Sequence, residues 1–209
     1  MKIKRADAIK AWHWLWHDRR LGYDDGTLVE AGYVYSVKGP VKLCGWGLHG
    51  SIRALNALRY ASYPIVSRVL LYGTVVAGPD KLVATHREVL WIADAKEVLH
   101  DFARWCARDL LLMWPKTVPD KVRAFLDTGD PALRELAYEA ISLAPYDVVG
   151  GDTLVYNDHP AYTVARAATY TDPVSAAYFA SKYSADIYHS DLDDRLYKLG
   201  KRTTPNYEE

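Results

Sequence analysis

The sequence predicts an α+β fold, with an antiparallel β-rich N-terminal half that holds one short helix and a helical C-terminal half. Three observations carry this expectation. Ala11 to His17 alternates at period two with three tryptophans, and Ile65 to Val76 is a run rich in Val, Leu and Ile, both patterns of pleated strands. From Asp94 onward apolar residues recur at helical spacing. The rear half also carries Asp130-Pro131 and Asp172-Pro173, each an N-cap followed by proline at the first helical position. The division is read as residues 1–93, a β-rich domain, and residues 94–209, a helical region packed on it to make one compact unit.

The elements follow in order. Ala11-Trp12-His13-Trp14-Leu15-Trp16-His17 alternates, so a strand places Trp12, Trp14 and Trp16 on one face. Gly22 to Gly26 reads as a turn, Val34 to Val37 as a short strand, and Val41 to Cys44 as its hairpin partner after Gly39-Pro40. Gly45, Gly47 and Gly50 then crowd one segment, which signals unusual torsions or a close approach to the backbone. Ser51 is placed as the N-cap of a helix through Ile52, Leu55, Leu58 and Arg59, ended by Tyr63-Pro64. Ile65 to Val76 is the strongest strand, with Gly73 as a bulge or close-approach point. Gly78-Pro79-Asp80 turns it into a return strand from Lys81 to Trp91.

Beyond the boundary, Asp94 to Glu97 has the outline of a capping box. It opens a helix through Leu99, Phe102, Cys106, Leu110 and Met113 that Trp114-Pro115 stops. The two Asp-Pro devices open helices to about Leu143 and to about His189. Tyr146 to Tyr156 reads as an extended crossing or a hinge. The residues from about Lys201 read as a polar, frayed end.

Composition excludes some functions. The chain has 209 residues, 50% hydrophobic and 25% charged, enough for a sizeable core. The formal net charge of zero argues against a nucleic-acid-coating protein, which carries a basic excess. No apolar run approaches the roughly 18 residues a membrane span needs, and the N-terminus lacks the apolar stretch of a signal peptide. Only Cys44 and Cys106 are present, so a reduced, cytoplasmic setting is expected. The 16 tyrosines and 7 tryptophans, against 3 phenylalanines, are aromatics with a polar tip. Such residues suit half-buried sheet positions, interfaces and ligand pockets.

Three constellations can carry chemistry, the least of them Asp80-Lys81 after Gly78-Pro79, which a type I or II turn explains for backbone reasons alone. The first is Gly45-Trp46-Gly47-Leu48-His49-Gly50-Ser51. A His in a glycine-rich loop before a helix lies where backbone N–H groups favour an anion, and it can add a hydrogen bond or a proton transfer. The alternative is a tight strand-to-helix turn whose His satisfies a backbone carbonyl. The second is Thr85 to Trp91, where a strand puts His86, Glu88 and Leu90 on one face and Arg87, Val89 and Trp91 on the other. A Glu beside an apolar neighbour can serve as acid or base. Metal-ligand spacings, a Walker loop and Gly-x-Ser-x-Gly are absent from the sequence. The literal match Gly45-x-Gly47-x-x-Gly50 lacks the βαβ context of a dinucleotide site.

The run Leu43 to Ser51, the helix end Ala57-Leu58-Arg59-Tyr60-Ala61, the strand Val69 to Gly73, and Asp80 to Ala84 followed by Arg87 resemble an uncharacterised domain family common in bacteriophage and prophage proteins. The resemblance covers roughly residues 11–95 and implies a phage or mobile-element origin, with the host-cell cytoplasm as its setting. A second resemblance is to ADP-ribosyltransferases: His13 or His17, then Gly47 to Ser51, then Glu88 follow the order of that family's site residues. It implies NAD as cofactor, aromatics stacked on nicotinamide, and Glu88 stabilising an oxocarbenium-like transition state.

The expectations are therefore a phage-type accessory protein that binds a host or defence macromolecule, with an ADP-ribosyltransferase-like enzyme as the alternative. A module binding single-stranded nucleic acid through Arg19, Arg20, Lys38, Lys42 and the Trp face comes last. The expected catalytic residues are His49, Glu88 and His13. The expected ligand-binding residues are Gly47, Gly50, Ser51, Trp12, Trp14, Trp46 and Arg87, with no metal.

Overall fold

A computed structural model describes residues 1–22, 26–144, 146–149, 153–156, 159–183 and 187–204. The chain divides into two compact units, Met1–Lys96 together with His189–Glu209, and Glu97–Tyr188. The division near Lys96 lies close to the change of pattern at Asp94. The C-terminal segment, read from sequence as part of the helical region, groups with the first unit.

The first unit is built on one long hairpin, β5 (Ile65–Ala77) and β6 (Leu82–Asp94). Val66, Val69, Leu71, Val75, Leu82, Val83 and Val89 are buried, and both outer edges of the hairpin are used. Strands β1 (Lys2–Ile3) and β2 (Ile9–Leu15) pair antiparallel with β5. Strands β3 (Val34–Ser36) and β4 (Leu48–Gly50) pair antiparallel with β6. The sheet then curls until its ends meet. Trp12 N–H donates to the Ser51 carbonyl at 2.7 Å, and Ser51 N–H donates to the Trp12 carbonyl at 2.9 Å. The circuit β2–β5–β6–β4 thereby closes, which removes most of the free sheet edge. The concave face carries Ala11, Leu15, Val69, Leu71, Val89 and neighbours as one apolar cluster.

Two irregularities shape this sheet. Gly73 has φ +81°, and a Cβ there would meet Thr85 Oγ1 at 2.2 Å, so the register shift between Tyr72 and Val75 requires glycine. A second shift leaves Leu90 as an extra residue between Val89, opposite Val69, and Trp91, opposite Arg68. Alternation breaks there. Trp91 therefore leaves the face of Arg87 and Val89, where the sequence pattern had put it, and joins Trp12 and Arg68 on the outer face. Trp12 and Trp91 meet edge-on at 5.7 Å between ring centroids, and the Arg68 guanidinium lies 4.3 Å from the Trp12 ring centroid.

Several local expectations change. Val41 to Cys44 is a turn rather than a strand, closed by Lys42 N–H to the Trp46 carbonyl at 2.7 Å, with Cys44 at φ +55°. Leu48 to Gly50 is a strand, not a strand-to-helix turn, because Leu82 to Ala84 offers it a ladder. Ser51 is consequently held in the sheet closure and does not cap a helix. The short helix α1 is Ala54–Leu58, and its Ala54 N–H is bonded at 2.7 Å by Asp193 on α7 (Ile187–Thr203). The strand β6 runs three residues beyond Trp91. The turn expected from Gly22 to Gly26 falls partly on residues outside the described ones, as does the middle of the Tyr146 to Tyr156 segment.

The second unit is helical. Asp94 Oδ1 accepts from Lys96 N–H at 2.8 Å at the start of α2 (Lys96–Asp109). This helix ends before Leu110 and Met113, which lie at a tighter turn over Leu111–Met113. Helices α3 (Asp120–Thr128) and α4 (Pro131–Leu143) pack together, as do α5 (Pro160–Ala168) and α6 (Pro173–Ala180). Both Asp-Pro caps form: Asp130 accepts from Ala132 N–H and Asp172 from Ser175 N–H. The helix after Asp172 stops at Ala180 rather than near His189. A two-stranded ribbon, β7 (Tyr146–Val149) with β8 (Thr153–Tyr156), occupies the segment read as a crossing or hinge. The helical pattern of α7 persists to Thr203, past the expected fraying at Lys201. No helix among the described residues is long and apolar enough to cross a membrane.

Candidate functional site

A pocket of about 480 Å³ opens in the first unit. Its wall is drawn from β2 and residues 20–22 after it, from the end of β3, residues 37–47, β4, α1 and Tyr60 beyond it, Lys81 in the hairpin turn, and Arg87 on β6. This volume is within the range of small-molecule sites.

Arg87 lines this pocket and dominates its electrostatics. It is 3% exposed, on the concave side of β6 opposite Leu71. Its Nη1 donates to the His49 carbonyl at 3.1 Å, and its Nε is buried with no hydrogen-bond partner. Burial pushes the guanidinium pKa down to about 10, slightly countered by Tyr35. No carboxylate among the described residues pairs with it. The described residues of the pocket wall include Arg20, Lys38, Lys81 and Arg87 but no Asp or Glu.

Two histidines join it. His13 stands on the concave side of β2 opposite Ser67, with Nδ1 buried and unpartnered. Burial holds it well below the ordinary imidazole pKa, and Arg87 and His49 push it further the same way. His49, on β4, has a buried and unpartnered Nε2. Its pKa is lowered by burial, then by Lys81 and Arg87, against a hydrogen bond to the Gly47 backbone that raises it. Both rings are therefore neutral at pH 7, each with one donor and one acceptor nitrogen.

The aromatic part of the wall includes Trp14, Trp16, Trp46 and Tyr60. Trp46 is 44% exposed yet fixed, its Nε1 donating to the Lys38 carbonyl at 2.9 Å. Trp16 is 56% exposed and packs on Tyr63 at 6.1 Å. Lys81 Nζ lies 4.0 Å from the Tyr60 ring centroid, and its pKa is raised first by a hydrogen bond with Cys44. The Tyr60 hydroxyl donates to Asp80 at 2.7 Å, and Arg59 pairs with the same carboxylate at 3.2 Å. The Asp80-Lys81 dipeptide, which a turn alone would explain, thus ties the hairpin to the end of α1.

The structure brings together His13, His49, Arg87, Trp46, Gly47, Gly50 and Ser51 around one pocket, and Trp12 and Trp14 border it from β2, with the Trp12 ring turned to the outer face against Trp91. Glu88 is not in that wall. It points to the other side of β6, where Arg5 Nε and Nη2 grip its carboxylate at 2.7 Å each. The glycines have structural causes. Gly47 has φ +134° and a Cβ there would lie 2.4 Å from Val83 Cγ2; a Cβ on Gly50 would lie 3.2 Å from both Ala11 Cβ and Leu71 Cδ1. They are small because the closing strand packs tightly, so the backbone amides of this segment serve the sheet instead of forming an anion nest at a helix start. Tyr60 and Cys44 were not expected at a ligand site, and neither periodicity nor motif marks them there, whereas Lys81 belongs to the Asp80-Lys81 dipeptide weighed from the sequence. Among the described residues no cluster of His, Cys, Asp and Glu suits a metal ion.

Comparison with family models, curated proteins and solved structures finds no match to this chain.

Proposed function

We propose that this chain is a binding protein for a small anionic molecule, held in the pocket with Arg87 as its anchor. The observation that carries this reading is a buried guanidinium with an unpartnered Nε and no carboxylate, in a wall that supplies four cations and no acid among its described residues. A buried charge without a counter-ion costs several kcal/mol, so a structure that keeps one gains by accepting an anion there. The guanidinium fork matches carboxylate or phosphate oxygens, and the neutral His13 and His49 add hydrogen-bond capacity on either side.

A small molecule is favoured over the macromolecular partner expected from composition because the charge is recessed in a concavity, whereas protein interfaces of standard size are broad surfaces. The ADP-ribosyltransferase alternative needs Glu88 beside His49. The Arg5–Glu88 pair on the opposite side of the strand favours binding over that transfer chemistry.

Thermal unfolding of the full chain with inorganic phosphate, citrate and acetate tests the proposal. An anion that binds the folded state raises the midpoint in a concentration-dependent way. The rise is expected for at least one of the three and is lost in Arg87→Met. No rise at millimolar anion and low ionic strength, or an equal rise in the variant, overturns the reading.

A further inference from the structure

We infer that the molecule this pocket takes is of mononucleotide class, an aromatic ring carrying one or more phosphoryl groups. The inference rests on Arg87 as an anion anchor and adds two observations to it. The first is the quantity of charge. Arg20, Lys38 and Lys81 line the same wall as Arg87, and a single carboxylate would neutralise one of these four. A phosphoryl group brings two negative charges and three oxygens. It suits an arginine fork supported by lysines acting as point charges.

The second observation is the state of the aromatics. An indole exposed to water is ordinary when it is a loose surface side chain. Trp46 is instead pinned by its bond to the Lys38 carbonyl and still leaves 44% of its surface open. Trp16 is held against Tyr63 and is 56% exposed, and Tyr60 is bound at its hydroxyl by Asp80 and is 52% exposed. Rigid aromatic faces around a recessed cationic site make a stacking platform, which accepts a planar ring with little loss of side-chain freedom. Ring and phosphate together fit a cavity of about 480 Å³.

Calorimetric titration of the full chain uses inorganic phosphate, ribose 5-phosphate, adenosine, adenosine 5′-monophosphate, uridine 5′-monophosphate and a 5′-phosphorylated tetranucleotide. One of the two monophosphates is expected to bind about tenfold or more tighter than ribose 5-phosphate, the factor a single stacked base supplies. Trp46→Leu should remove that advantage, and Trp46→Phe should restore most of it. Arg87→Met should abolish every phosphate-dependent affinity. Equal binding of phosphate, ribose 5-phosphate and both nucleotides, lost in Arg87→Met, overturns the ring and leaves the anion reading standing. Tighter binding of the tetranucleotide than of either monophosphate overturns the mononucleotide class. Binding of none of these, or binding unaffected by Arg87→Met, overturns both.

Discussion

Replacing Arg87 with methionine removes a buried charge and leaves an apolar chain of similar length among Leu71, Val89 and their neighbours. The guanidinium pKa, pushed down to about 10 by burial, corresponds to about 3 kcal/mol by which the fold disfavours the charged form. Against this, the variant loses the Nη1 bond to the His49 carbonyl, worth about 1–2 kcal/mol with the carbonyl left unpaired. The difference predicts a net gain of about 1–2 kcal/mol. For a chain of this size it appears as a rise of roughly 3–6 °C in the unfolding midpoint. Urea and thermal unfolding followed by tryptophan fluorescence measure it, with phosphate titration on the same samples. The expected signature is a more stable protein that no longer responds to anions, the trade between stability and binding common at functional sites. A midpoint that falls would refute the reasoning, because the guanidinium would then be holding the sheet together instead of waiting for a ligand.

Other perturbations probe the same structure. His13 and His49 are bases held below their ordinary value of 6.5, so the folded chain binds fewer protons than the unfolded chain once pH drops through that value. Their contribution is complete above pH 6.5 and declines below it. The unfolding midpoint should fall between about pH 7.5 and 5.5, and less so in the His13→Gln, His49→Gln double variant; equal slopes would sink the assignment. Gly200→Ala on α7 should destabilise by about 1–2 kcal/mol, where an ordinary helical position would gain up to about 1 kcal/mol. The cause is a Cβ that would lie 2.4 Å from Trp91 Cε2 and Cζ2. A stabilised variant in urea denaturation would contradict that packing. Glu88→Gln should leave anion binding unchanged, since Glu88 faces Arg5 on the other side of the strand, and should lower stability by no more than about 1 kcal/mol, since Arg5 is solvent-exposed while the pair is bidentate. Loss of anion binding in this variant would put Glu88 back in the site.

Much of the architecture is legible because local signals and tertiary demands agree. The Val- and Leu-rich hairpin and the Asp-Pro caps form where their patterns indicate, and the alternating tryptophan strand forms over Ile9–Leu15, ending before Trp16. The failures have one kind of cause. Ser51 has the chemistry of an N-cap, and Gly45 to Gly50 the look of an anion loop, but a vacant edge on β6 and a backbone partner at Trp12 recruit that segment into the sheet. Glu88 and Arg87 are adjacent charged residues with similar prospects on paper. The pleat sends one outward to Arg5 and the other inward to the pocket, and the bulge at Leu90 moves Trp91 away from Arg87.

The amino-acid order by itself determined the α+β class, the change of pattern near Asp94 and the pairing of a glycine-rich histidine with a charged return strand. Those are properties of neighbours along the chain, set by propensity, alternation and capping. Only the tertiary structure decided which charged residue loses its water. The sheet must curl until Ser51 meets Trp12 before Arg87 becomes enclosed, and that enclosure, with no Asp or Glu among the described residues of the wall, is what the proposed anion site rests on.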